Sequence, residues 1–248
     1  MKSLVLRRRP LREVAEESVF LEEVAAISAN ESDPRLPFTV ETVDLNDVQA
    51  ADLRRDPATQ DIISSIPFTL IAPFEDSGTA AAAAEKAWGI EAVGAHTSPQ
   101  DGKGVTVAVL DTGIDKGHAA FAGLTFQNDD LMDFTMNEEG VAGSAPDVHG
   151  HGTHVAGTIL GRDVNGTRIG VARGVTKVLI GKVLGPNGGP TETIFNGIEW
   201  ALRRRADIIS MSLGIDFLSL WRRLQDGGLP GDIALSRALE AYRSNVRL

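Results

Sequence analysis

Apolar and polar positions recur with two periods along this chain, and the texture changes near residue 76. In LREVAEESVFLEEVAAISA (11–29), Val14, Val19, Val24 and Ile27 fall at helical spacing, with an imperfect stripe. FTVETVDL (38–45) alternates as a half-buried strand does. NDVQAADLRRD (46–56) predicts a short helix capped by Asn46, with Asp47 in its first turn. DIISSIPFTLIAP (61–73) predicts another strand, in which Pro67 and Pro73 limit the ladder hydrogen bonds. Residues 1–76 contain no glycine and predict a small strand–helix–strand unit.

EDSGTAAAAAEKA (75–87) is a run of small residues, a linker or the start of a helix. Beyond it the chain is glycine-rich, and strands alternate with helices. GVTVAVLDTGID (104–115) holds an apolar strand, Val105 to Leu110, that stops at Asp111 and Gly113. THVAGTIL (153–160) fits a helix, and KVLIGKVL (177–184) a second strand. TETIFNGIEWALRRR (191–205) is amphipathic, with Ile194, Ile198, Ala201 and Leu202 on one face and Thr191 as its cap. DIISMSLG (207–214) predicts a third strand, and DIALSRALEAYRSNV (232–246) a last helix. This alternation predicts an α/β fold with a doubly wound parallel sheet.

Composition narrows the chemistry. The 248 residues are 42% hydrophobic and 23% charged, ordinary for a globular protein able to bury a sizeable core. There is no cysteine, which excludes disulfides, thiolate metal sites and cysteine nucleophiles. The net charge is −10, with 9 basic and 17 acidic residues in 1–100 against 15 and 17 in 101–248. An acidic chain is a poor partner for nucleic acid, so Arg203-Arg204-Arg205 reads as the solvated end of a helix. No apolar run is long enough for a membrane span, and no secretory signal is written at the N-terminus, so the expected location is cytoplasmic.

Candidate chemistry sits at strand and helix ends. Ligands of open parallel sheets bind beyond the carboxyl ends of the strands, where Asp111 stands, although Asp-Thr-Gly is also ordinary turn chemistry. DVHGHGTHVAGT (147–158) supplies His149, His151 and His154. His151 and His154 can share a helix face, but the His-Glu-x-x-His pattern is absent and no third zinc ligand is evident, whether or not His118 or Asp147 is recruited. The other reading is a carboxylate that orients an imidazole base. GVTVAVLDTG lacks the G-x-G-x-x-G of a dinucleotide binder.

VAVLDTGID (107–115), HGTHVAGT (151–158) and SMSLG (210–214) together, and in this order, resemble the signature segments of the subtilisin-like serine proteases, the subtilase family. IGVARGVTKVLIGKVLGPNGG (169–189) and FNGIEWAL (195–202) are similar too. The resemblance covers about residues 88–248. It implies serine-type endopeptidase activity on extended peptide or protein substrates, with Asp111 as the triad carboxylate and His151 as the base. Ser212, Leu213 and Gly214 resemble the edge that pairs with substrate. Gly185, Asn187, Gly188 and Gly189 resemble the segment on the other side of it. His154, one turn into the helix, takes a structural role by the same mapping, and His149 takes none.

The family's nucleophile lies in a Gly-Thr-Ser-Met-Ala segment and its oxyanion asparagine in an Ala-Ala-Gly-Asn segment; neither is written in these 248 residues. The subtilisin order puts the serine about 150 residues beyond the histidine, and 97 residues follow His151 here. Ser212 belongs to the substrate edge, and Ser236 and Ser244 to the last helix. The expectation is therefore a catalytic part without its nucleophile, inert alone, with a complementing C-terminal half as a candidate partner. A non-catalytic peptide- or protease-binding fragment is the alternative. A sheet cut partway would also expose an apolar edge.

No cofactor is expected. Calcium stabilises many relatives, yet Ala120 stands where many carry a ligand carboxylate, and Asp163 and Asn165 of GRDVNGTR (161–168) are thin for a cation wanting six to eight oxygens. Residues 1–76 resemble, more weakly, the second half of a subtilase prosegment, a piece that assists folding and lays its tail in the active site. The expected organisation is a prosegment or extension over 1–76, a linker over 77–87, and the N-terminal part of a catalytic domain over 88–248.

Overall fold

A computed structural model describes residues 2–8, 38–71, 86–137 and 139–246. The helix predicted over 11–29 and nearly all of the 75–87 stretch lie outside the described residues. The described chain divides into two compact units, and the division departs from the sequence boundaries: Met1–Phe68 groups with Pro190–Glu192 and Ile215–Leu248, while Thr69–Gly189 groups with Thr193–Gly214. No helix among the described residues is long and apolar enough to cross a membrane.

The first unit is built on an antiparallel sheet. Strand β1 (Lys2–Arg8) is central, with β2 (Phe38–Asp44) on one side and β3 (Thr59–Ser64) on the other. Pairing on both edges explains why Ser3, Leu4 and Val5 are buried despite the arginines that follow. Between β2 and β3 lies α1 (Asp47–Leu53), capped as expected: Asn46 accepts from the Gln49 N–H, and the Gln49 side chain accepts from the Asn46 N–H. The strand predicted over 61–73 breaks after Ser64, and Pro67 opens a separate strand, β4 (Pro67–Leu70). Two helices complete the unit, α5 (Phe217–Asp226) and α6 (Gly231–Asn245). Leu220, Ala238 and Ala241 pack there with Ile66. Thr191 does not cap its own helix. Its hydroxyl accepts from the Ile66 N–H at 2.9 Å and donates to Asn245 Oδ1 at 2.8 Å, and the Asn245 amide in turn donates to Ser64 O.

The second unit holds the predicted parallel sheet. Its strands are β5 (Thr106–Asp111), β6 (Leu131–Asp133), β7 (Val141–Ala142), β8 (Lys177–Lys182) and β10 (Ile208–Met211), in the order β10-β5-β8-β6-β7. All pairs are parallel except β6 with β7. Helix α2 (Trp88–Ala92) precedes this sheet, α3 (His151–Leu160) leads towards β8, and α4 (Thr191–Arg203) leads from β8 towards β10. Residues 107–110 of β5 are 2% exposed or less, the continuous apolar burial expected of a central parallel strand. Val107 and Val109 pack with Ala156 and Leu160 of α3.

The face of α4 is shifted from the predicted one. Ile194 and Ala201 are buried as expected, but Phe195 and Trp200 join them and Leu202 is exposed. The arginines that end α4 are not simply solvated. Arg203 pairs with Glu199 at 2.6 Å, and Arg204 reaches the buried Asp130, which Lys177 also contacts. Burial alone would raise the Asp130 carboxyl; donors from Lys177, the Gln127 N–H and Arg204 hold it below its ordinary range. The third strand, predicted over 207–214, is two strands. β10 ends at Met211, and β11 (Leu213–Ile215) joins a different, three-stranded sheet with β4 in the middle and β9 (Gly189–Pro190) beyond it.

Candidate active site

Strand β5 delivers Asp111 to its carboxyl end, 1% exposed. Asp111 Oδ1 accepts from the Thr112 N–H at 2.7 Å and lies 2.8 Å from His151 Nδ1. Asp111 Oδ2 is buried with no hydrogen-bond partner among the described residues. Such a group costs free energy in the folded protein.

His151 opens α3, and Gly113 and Gly152 let the two elements meet. Gly113 has φ 108°, and a Cβ there would come within 2.4 Å of Ala145 O. At Gly152 a Cβ would come within 2.3 Å of Gly113 O and 3.2 Å of Asp111 Cβ. Only glycine at both positions brings the imidazole to the carboxylate.

Asp147, which sequence reasoning weighed only as a possible metal ligand, organises this meeting. Its Oδ1 accepts from the His149 N–H, the Gly150 N–H and the Thr112 hydroxyl, and its Oδ2 from the Thr153 N–H and hydroxyl. The Thr112 hydroxyl oxygen also accepts from the Gly152 N–H at 2.9 Å. One carboxylate therefore gathers the open N–H groups at the start of α3 and ties them to the turn after β5. Burial alone would raise the Asp147 carboxyl, but the donors from Thr153, Gly150 and Thr112 outweigh it and hold it below its ordinary value. Lys182, buried at the end of β8, donates to Pro146 O at 2.8 Å and fixes the same turn from the other side. A polar residue three or four positions before a helix start is ordinary capping, so only its count of donors marks Asp147 out.

Nδ1 of His151 faces Asp111, which leaves Nε2 as the ring nitrogen on the open side of the imidazole. Nε2 lies 3.3 Å from Ile71 O. The Ile71 N–H donates to Ser212 O at 3.2 Å, so the chain at Thr69–Ile71 runs along the expected substrate edge. Gly214 faces the Ile71 side chain, since a Cβ there would lie 3.7 Å from Ile71 Cγ1. On the other flank, Gly185 and Gly188 exchange backbone hydrogen bonds around Asn187. Gly189 sits so close to Val183 O that a Cβ would come within 2.4 Å of it.

The remaining histidines are dispersed. His149 is exposed, with its ring centroid 6.3 Å from that of His151. His154 is also exposed, so the packing role expected for it is slight. His118 accepts from the Ala120 N–H and caps a short 3₁₀ turn. Among the described residues no group of three or more His, Asp or Glu could hold a metal ion. Ser244 donates to carbonyls of its own helix.

A family model described as the subtilase family, peptidase S8, matches residues 102–244. The major intracellular serine protease of Bacillus subtilis (strain 168) is 45% identical over 114 residues, 46% of this chain and 35% of that protein. The intracellular serine protease of Paenibacillus polymyxa is 42% identical over 114 residues, 46% of this chain and 34% of that protein. Among solved structures, fervidolysin from Fervidobacterium pennivorans, described as a keratinolytic enzyme related to subtilisin, is 22% identical with a TM-score of 0.48, over 86% of this chain and 35% of that one. The matched stretch spans about a third of the length of the two bacterial relatives. With the family match running from Gly102 to Ser244, through Asp111, His151 and Ser212, the chain belongs to the subtilase family.

Proposed function

We propose that this chain supplies the Asp–His part of a serine endopeptidase site, with Asp111 orienting His151 and Ser212–Gly214 forming the substrate edge. The nucleophilic serine and the oxyanion asparagine come from outside residues 1–248, on the same or a second polypeptide. The observation that carries this reading is the part-buried 2.8 Å contact between His151 and Asp111, with Nε2 3.3 Å from Ile71 O on the segment whose Ile71 N–H pairs with Ser212 O. His151 takes the proton from the serine as it attacks the scissile carbonyl, then returns it to the departing amine; Asp111 holds the tautomer and stabilises the imidazolium between these steps. Such acyl transfer needs no cofactor. Substrate lies extended, bound by backbone hydrogen bonds to Ser212–Gly214 and flanked by Gly185–Gly189.

Residues 1–76 are proposed to act as a prosegment. The hydrogen bond from Ile71 to Ser212 supports this, because the chain's own Thr69–Ile71 already runs along the edge a substrate would use. The names of the two bacterial relatives support an intracellular site of action, which cell fractionation checks.

Fluorophosphonate labelling tests the central reading. Residues 1–248 alone are expected to remain unlabelled. Joined or mixed with a polypeptide carrying the Ala-Ala-Gly-Asn and Gly-Thr-Ser-Met-Ala segments, they are expected to label and to cleave a peptide. His151→Ala should remove that cleavage; in a subtilisin, loss of the triad histidine lowers turnover by about 10⁶-fold. Labelling of 1–248 alone, or silence of the completed protein, overturns the proposal.

A further inference from the structure

The subtilase resemblance brings calcium with it, and the residues of the corresponding loop do not fit the ion. Asp163, its nearest carboxylate, is engaged on both oxygens by Arg173 Nη1 at 3.0 and 2.9 Å. Backbone carbonyl oxygens around the loop are engaged by arginines as well. Arg162 Nη1 donates to Leu160 O at 3.0 Å and to Arg173 O, and Nη2 donates to Val175 O at 2.8 Å. The Arg162 N–H binds Ala120 O at 2.7 Å, so the position lacking a carboxylate is occupied through its backbone. Arg168 donates from Nε to Gly170 O at 3.2 Å and from Nη2 to Val171 O at 3.1 Å. The span thus carries three guanidinium groups, of which Arg173 pairs with Asp163 while Arg162 and Arg168 bind backbone carbonyls. A divalent cation would have to displace those donors and bear their repulsion, where it needs six to eight free oxygens.

We propose that the guanidinium groups of Arg162 and Arg168 replace a structural calcium ion in the span Gly161–Val175, so that this part of the catalytic unit holds its shape without metal. The geometry gives the replacement a purpose. Leu160 is the last residue of α3, the helix that His151 opens, and Val175 leads into β8, which ends at Lys182 beside the Asp147 turn. Arg162 thus closes the far end of the base-bearing helix and fastens it to the start of a sheet strand. A cation at a helix C-terminus also suits the helix dipole, and a planar five-donor fork reaches several carbonyls where an ammonium cannot.

Scanning fluorimetry at a fixed heating rate tests this on residues 1–248 in EGTA and in increasing calcium chloride. The melting temperature is expected to be the same throughout. An ion bound at many times its dissociation constant would instead raise it by several degrees. Arg162→Lys keeps the charge but loses the fork, and should melt several degrees lower in EGTA and in calcium alike. Arg162→Ala should fall further; if it does not fold, the wild-type series and Arg162→Lys still decide. A calcium-dependent rise in the wild-type melting temperature that Asp163→Asn abolishes would overturn the proposal. So would Arg162→Lys melting with the wild type.

Discussion

Gly152 sets how near His151 can come to Asp111, because a methyl group there would lie 2.3 Å from Gly113 O. Gly152→Ala must therefore push α3 from the strand end, a strain of about 1–3 kcal/mol by the usual cost of overpacking. The expected outcome is a lower urea midpoint, together with loss of cleavage in the completed protein. An unchanged midpoint would mean that the elements are not so tightly apposed. Asp147 gives a pH signature. Its carboxyl titrates below its ordinary value of 3.8 in the folded protein, so the unfolded chain binds the proton more readily. The associated stability is then fully present above that value and is lost as pH falls through the lower, folded one. Asp147→Asn should lower stability at pH 6, and the gap from wild type should narrow as pH falls below 3.8 in urea melts; a gap independent of pH contradicts this. The meeting of Asp111 and His151 was legible in the sequence because each ends or begins an element inside a specific motif. The role of Asp147 was not, since five donors converge on it only after the turn, the helix start and Thr112 are placed together.

Among the elements, those with one partner and one period were readable, and those that change partners were not. IISMSLGI is a continuous apolar pattern, yet Ile208–Met211 pairs with β5 while Leu213–Ile215 joins the sheet of β4. Periodicity records burial and cannot record a change of partner. β1 was hidden for a related reason: its arginines suggest a solvated start, whereas its burial comes from strands 30 to 60 residues away. Helix α5 went unread although Asp216 caps it, accepting from the Ser219 N–H at 3.0 Å. The Ser219 hydrogen bonds, aided by Arg222 and Arg223, hold the Asp216 carboxyl below its ordinary range. Asp216→Ala should cost about 1 kcal/mol, the usual price of losing an N-cap. Urea melts followed by helical circular dichroism check this, and a change below a few tenths would show that the cap is idle.

At the scale of the whole molecule, the sheet edge at β10 is the feature expected to govern behaviour in solution. Among the described residues of the five-stranded sheet β10 pairs only with β5, and Ile208 and Met211 are 54% and 43% exposed. An exposed apolar edge strand offers backbone donors and acceptors to another chain, and natural proteins blunt such edges with charge. The net charge of −10 opposes association, but residues 1–100 carry −8 of it and 101–248, which include β10, carry −2. Repulsion is therefore weakest in the part of the sequence that bears the edge. Residues 1–248 alone should then self-associate at micromolar concentration, with light scattering rising before the fluorescence melt. Ile208→Lys places a cation on the edge without emptying a core site, since that side chain is already more than half exposed. It should suppress scattering and leave the melting temperature within a degree or two, as surface substitutions do. If the wild-type chain stays monomeric through a cooperative melt, the edge is not the liability inferred here. If Ile208→Lys lowers the melting temperature strongly, Ile208 is a packing residue and association must arise elsewhere.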